Sequence, residues 1–278
     1  MREPRSRSLF GEIVSRPDDA VDLAAASLLI ACEAYPDLEV DCYLSRLEQM
    51  AAAMRERVGV GAGAEDLVPA LNRYLFGELG FRGNTEDYYD PRNSFLNDVL
   101  DRRMGIPISL SALYIEVGSR LGLAVDGVGL PGHFIVKAAG PQGDMLIDPF
   151  HGGALLSQED CQRRLDRIYE GRVQMEPSML APCGRKPMLT RMLRNLKTIY
   201  TKAEDYPHAL GTIELLLKIR PDSAEDMRDR GLLYVALDCY GLAARDLETY
   251  LSRTPGAPDG PVVRATLERM RHKQARVN

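Results

Sequence analysis

The stretch Gly105–Gly153, GIPISLSALYIEVGSRLGLAVDGVGLPGHFIVKAAGPQGDMLIDPFHGG, decides the fold of this chain. It opens on Pro107, whose fixed φ suits a first helical position where no N–H is missed. Leu113, Ile115, Val117 and Leu121 then mix with Glu116 and Arg120 up to a break at Gly122. This predicts a mostly buried central helix. Val125–Leu130 and His133–Ala138 are apolar runs of strand length punctuated by Pro131-Gly132, and Met145-Leu-Ile leads into Asp148-Pro-Phe. A helix followed by successive strands predicts an antiparallel sheet packed on that helix, an α+β core.

Upstream, Asp18–Glu33 is rich in Ala and Leu, and from Glu39 to Arg57 apolar residues recur at three- and four-residue intervals. Both patterns predict amphipathic helices. Gly59–Gly63 interrupts them and lacks the Lys-Ser/Thr ending of a phosphate loop, so it does not predict nucleotide binding. Ala64–Gly77 begins with an acidic turn suited to a helix N-terminus. A turn-rich connection over Gly80–Pro91 precedes a short helix over Asn93–Arg103. These elements predict an N-terminal helical region over residues 1–85, packed on a core over 86–182.

Downstream the pattern repeats. Tyr200 and Tyr234, Ala209 and Ala243, and Pro221 and Pro255 are each 34 residues apart. That is the tetratricopeptide period, in which two antiparallel helices form a unit, a small residue permits their close approach and Pro ends it. Residues 183–278 are therefore expected to form all-α repeats. Arg230 departs from the pattern, standing where the first unit has Leu196. Pro261–His272 is expected to supply a capping helix.

Composition excludes several functions. With 35 Lys and Arg against 40 Asp and Glu the net charge is −5, and Trp is absent, which argues against a nucleic-acid partner. No apolar run reaches the length of a membrane-spanning helix, and no secretory signal is evident, so a cytoplasmic protein with no membrane association is expected. Cys32, Cys42, Cys161, Cys183 and Cys239 are odd in number and scattered, which indicates reduced thiols and no zinc site.

The chemistry concentrates on His133 and Asp148. On neighbouring strands, the Asp carboxylate would hold one imidazole nitrogen and leave the other for a nucleophile at the start of the central helix. A helix N-terminus there would also stabilise a thiolate. His151 would complete a His/Asp metal set only at spacings of little specificity, so no metal and no cofactor are assigned. Glu116 and Arg120 are read as a structural i,i+4 pair, and Arg102-Arg103 and Arg163-Arg164 as solvated faces.

The strings Arg103-Met-Gly-Ile-Pro-Ile-Ser-Leu, Glu116-Val-Gly-Ser-Arg-Leu-Gly, Pro131-Gly-His-Phe and Asp148-Pro-Phe-His-Gly-Gly resemble the bacterial SirB-one family. That family joins a transglutaminase-like core, related to papain-type thiol enzymes, to tetratricopeptide-like repeats. The resemblance implies a Cys-His-Asp triad with the Cys fourteen residues before the Leu-Gly that closes the helix. Counting back from Leu121 reaches Pro107, and none of the five cysteines lies between Cys42 and Cys161. His133 and Asp148 match the other two positions, but they cannot run covalent acyl transfer without a nucleophile. The expected function is accordingly a non-catalytic adaptor that binds a protein or peptide through its repeat groove, with His133, Asp148, Tyr200 and Tyr234 as candidate binding residues. The alternative is a hydrolase or acyltransferase using Ser109 or Ser111 with His133 as base and Asp148 as orienter.

Overall fold

The computed structural model of the chain describes residues 4–59 and 61–277. Their packing divides the chain into two compact units, one formed by residues 16–192 and the other by residues 1–15 with 193–278. Residues 16–85 thus share a unit with the sheet, while the first fifteen residues group with the C-terminal helices.

In chain order the helices begin with α1 (Arg5–Ser15), α2 (Leu23–Ala31), α3 (Val40–Val58) and α4 (Ala64–Asn72), which continues into a π-type turn over Arg73–Glu78. Asp22 caps α2 by accepting from the Ala25 N–H, and the nearly continuous burial of α2 fits its Ala- and Leu-rich sequence. Strand β1 (Arg82–Gly83) precedes α5 (Leu96–Arg102) and pairs in parallel with β2 (Met104–Gly105). Then comes α6 (Pro107–Arg120), with Pro107 as its first residue as the sequence leads one to expect. Every residue from Pro107 to Ile115 is buried, because α6 is surrounded by α2, α3, α5 and the sheet.

The sheet comprises β3 (Val125–Val128), β4 (Ile135–Gly140), β5 (Gly143–Asp148), β6 (Ala154–Leu156) and β7 (Pro182–Cys183), in the order β6-β5-β4-β3-β7, antiparallel throughout. Helix α7 (Gln158–Tyr169) follows β6 and starts with a capping box between Ser157 and Asp160. The architecture is the α+β core that the central segment predicts.

His133 is the local departure. The structure places it in the turn before β4 and not on the strand itself, because Leu130-Pro-Gly-His forms a tight turn. The His133 N–H donates to the Leu130 carbonyl at 3.1 Å, and Gly132 takes φ +71°. Pro at the second position and a left-handed Gly at the third are what such a turn requires.

The second unit contains α1, the C-terminal part of α8 (Arg185–Lys202), α9 (Tyr206–Ile219), α10 (Ala224–Ala236), α11 (Tyr240–Arg253) and α12 (Gly260–Val277). Helices α8 to α11 carry the 34-residue spacing, and α10 packs on both α9 and α11. Ala209 and Ala243 are fully buried, and Gly231 lies so close to Leu247 that a Cβ would stand 2.7 Å from it. These small residues sit where the helices press together. Arg230, the outlier of the repeat, donates through Nε and Nη2 to Asp246 at 2.6 and 2.9 Å, a bidentate pair in place of the apolar contact made by Leu196. Helix α12 packs on α11 in the capping position, and α1 lies along α9 with Arg7 paired to Glu214.

Candidate functional site

Asp148 ends β5 and is fully buried. Its Oδ1 accepts from the N–H groups of Phe150 and His151 at 3.1 and 3.3 Å, capping the 3-10 turn Pro149–His151. Its Oδ2 lies 2.9 Å from His133 Nε2, 2.9 Å from His151 Nδ1 and 2.8 Å from an Arg164 Nη. Burial opposes ionisation of Asp148. The hydrogen bonds from His133 and His151, with the Arg164 charge, overcome that cost and hold the carboxyl well below the usual range.

His133 is 6% exposed, and burial pushes its pKa down against the stabilising pull of Asp148. A neutral imidazole beside an ionised carboxylate must donate, which assigns the proton to Nε2 and leaves the Nδ1 lone pair facing away from Asp148. The pair is therefore oriented as a base is oriented in a thiol triad. Phe150 stands edge-on to the His133 ring with centroids 6.1 Å apart, and Tyr88 stands edge-on to Phe150 at 6.3 Å. Gly83 makes room for Phe150, since a Cβ there would come within 2.6 Å of the ring.

Among the described residues no hydroxyl is hydrogen-bonded to this base. Ser109 is fully buried, accepts from the Ile106 N–H at 3.1 Å and donates to the Asn93 carbonyl at 2.6 Å, so it caps α6 and ties down the preceding loop. Ser111 is also fully buried, and its hydroxyl has no hydrogen-bond partner. Neither serine is hydrogen-bonded to His133.

The ligand atoms of His133, Asp148 and His151 lie within 4.8 Å of one another, a spacing that would accommodate a metal ion. Arg164 places a fixed cation on the shared carboxylate oxygen, and this opposes a second one.

Arg164 corrects the reading of Arg163-Arg164 as a solvated face. Only Arg163 is exposed. Arg164 shares a side of α7 with buried Cys161 and Leu165, a helical phase that marks it as inward-facing without naming its partner. Arg102 is likewise drawn in, 3.2 Å from buried Asp90, while Glu116 and Arg120 do form the expected pair. Phe150 and Tyr88 had no signal in local sequence pattern.

The two tyrosines of the repeats part company. Tyr200 is buried and stacks on His208 with centroids 5.1 Å apart. Tyr234 lines a cleft of ≈ 390 Å³ between α10 and α11, with Arg230, Leu242 and Arg245. A separate groove of ≈ 330 Å³ is lined by Lys197, Thr198, Thr201, Ile213, Leu232 and Leu233 from α8, α9 and α10. Neither tyrosine lines that groove. Among the described residues no helix is long and apolar enough to cross a membrane.

A buried helix packed beside the site, an antiparallel sheet whose β5 end and β4 turn bring Asp148 and His133 together, and a following run of helices define a transglutaminase-like core joined to tetratricopeptide repeats. The chain belongs to the transglutaminase-like superfamily, whose profile matches residues 41–194, and the tetratricopeptide repeat profile matches residues 196–271. Within it the chain belongs with the UPF0162 proteins, the group that contains SirB1. It is 37% identical to a UPF0162 protein of Xylella fastidiosa strain 9a5c over 93% of both chains. It is 28% identical to UPF0162 protein YchA of Escherichia coli K12, over 88% of this chain and 92% of the relative. To protein SirB1 of Salmonella typhimurium LT2 it is 26% identical, over 86% and 88%. No solved structure matches the chain.

Proposed function

We propose that this protein is a non-catalytic transglutaminase-like adaptor that recognises a protein or peptide partner through its repeats. The observation that carries the reading is the chemistry at the start of α6. Pro107 stands where the family resemblance expects a nucleophile, and the nearest hydroxyls, Ser109 and Ser111, make no hydrogen bond to His133. A His-Asp pair without a nucleophile supports binding or structure and not acyl transfer. The open groove of α8, α9 and α10, with Leu232 40% exposed beside lysine and threonine side chains, has the mixed apolar and polar lining of a peptide site.

The test is affinity capture of native partners on the intact chain, compared with Leu232→Glu and His133→Ala variants whose circular dichroism matches the parent. A specific partner lost from Leu232→Glu and kept by His133→Ala is the expected result. Capture indifferent to Leu232→Glu would overturn the groove reading. Labelling of Ser109 or Ser111 by a fluorophosphonate probe would overturn the non-catalytic one.

A further inference from the structure

Arg191 is left over by everything described so far. It lies in α8 within the sheet-bearing unit, and burial presses its pKa down. Arginine has five N–H donors. Among the described residues its one side-chain hydrogen bond runs from Nη1 to the Leu130 carbonyl at 3.3 Å and no carboxylate pairs with it, and its Cζ lies 5.3 Å from the centre of the Phe134 ring. The carbonyl it touches is also the one that accepts the His133 N–H. The guanidinium therefore sits at the base of the turn that presents His133.

The surroundings of that turn are aromatic and apolar. A Cβ on Gly132 would stand 3.7 Å from the Tyr169 hydroxyl and 2.9 Å from Ile168, which is 45% exposed. Tyr88, 40% exposed, reaches the His133 ring through Phe150 and lies within electrostatic range of Arg191. Desolvated cations are ordinarily paired. Here a partly buried guanidinium with unused donors lies against the Phe134 ring and shares the Leu130 carbonyl with the His133 N–H, while Asp148, the carboxylate paired with His133, is already held by five donors.

We propose that the His133 turn forms a binding site for a small carboxylate-bearing ligand with an aromatic or apolar body, in which Arg191 supplies the counter-ion and Tyr88 and Ile168 contact the body. A carboxylate is the anion that a planar guanidinium matches bidentately. The proposal rests on the His133–Asp148 pair being a binding feature, and it is independent of the groove of α8, α9 and α10.

The probes are hippurate, an aromatic carboxylate, and its uncharged amide, titrated into the full chain while the imidazole resonances of His133 are followed by NMR. Hippurate is expected to shift the His133 signals saturably and the amide to leave them unmoved. Arg191→Gln should weaken hippurate by about tenfold or more, the scale of a charge-assisted hydrogen bond, and Arg191→Lys should retain part of the affinity. Where Arg191→Gln fails to fold, ionic strength serves instead: added salt should weaken hippurate and not the amide. Equal responses to the two probes, no response to hippurate at about 50 mM, a range that still detects the weakest specific binding, or undiminished binding by folded Arg191→Gln would each overturn the site. Capture of a partner by the repeats would be unaffected by such a failure.

Discussion

His133 Nε2 and Asp148 Oδ2 are 2.9 Å apart in a site where Asp148 is wholly buried. The contact joins the turn before β4 to the end of β5, so it fixes the turn against the sheet as well as orienting the imidazole. Five donors, two from backbone and three from side chains, converge on that one carboxylate.

Asp148→Asn keeps the shape of the side chain, removes the charge and turns one acceptor into a donor aimed at other donors. Breaking a buried charged network on one side typically costs about 3–5 kcal/mol, and a loss of about 3 kcal/mol is expected. The urea midpoint measures it; a change below about 0.5 kcal/mol, the size of an ordinary surface substitution, would mean that the carboxylate is not structurally coupled to its donors.

The pH dependence follows from the same pair. His133 has a lowered pKa in the folded chain, so below the ordinary value of about 6.5 the unfolded chain binds the proton first, and stability falls as pH drops. The carboxyl of Asp148 is lowered too, and its contribution is present above the ordinary value of about 3.9 and is lost as pH falls toward its folded value. Two successive declines are expected, one beginning near pH 6.5 and the other near pH 4, by the same reference values. In His133→Gln the first should flatten and the second remain; an unchanged slope between about pH 7 and 5 would refute the assignment of the first to His133.

Gly83 and Phe150 test the packing of the site. A methyl on Gly83 meets the Phe150 ring at 2.6 Å and the Phe150 backbone oxygen at 2.7 Å. Overpacking of this kind costs about 1–3 kcal/mol, so Gly83→Ala should lower the melting temperature, and combining it with Phe150→Leu should cost less than the sum of the two. Strict additivity in that cycle would show that the residues do not interact.

Arg230 and Asp246 offer a similar experiment in the repeats. Thirty-four residues earlier the corresponding positions are Leu196 and Thr212, both buried. Arg230→Leu alone leaves Asp246 largely buried without its cation and should cost about 2–4 kcal/mol; adding Asp246→Thr should restore most of it, because replacing both partners of such a pair is often neutral. Thermal unfolding of the single and double variants decides it, and a double variant as unstable as the single would disprove the repeat correspondence.

Much of this molecule was legible in its residues. Pro107 at the head of a buried helix, the apolar runs of β3 to β5 and the 34-residue echo of Tyr200, Ala209 and Pro221 are short-range patterns, and local backbone preference and periodicity act at that range. The meeting of His133 with Asp148 was legible too, because neighbouring antiparallel strands leave few alternatives. The details around it were not. Pro131-Gly132 reads as punctuation, but the structure makes it the turn that lifts His133 off the strand.

The sequence by itself determined the element types, their order, the repeat period and the lack of a cysteine between Cys42 and Cys161. Only the tertiary structure decided that Arg164 closes on Asp148, that Ser109 is consumed by the cap of α6, and that Arg191 meets the Leu130 carbonyl at the base of the His133 turn. The reason is physical. Helix and strand propensity is set by neighbours a few residues apart, whereas the state of a buried charge is set by groups that packing brings from α6, α7, α8 and the β5 end, and no local pattern records which of them arrive.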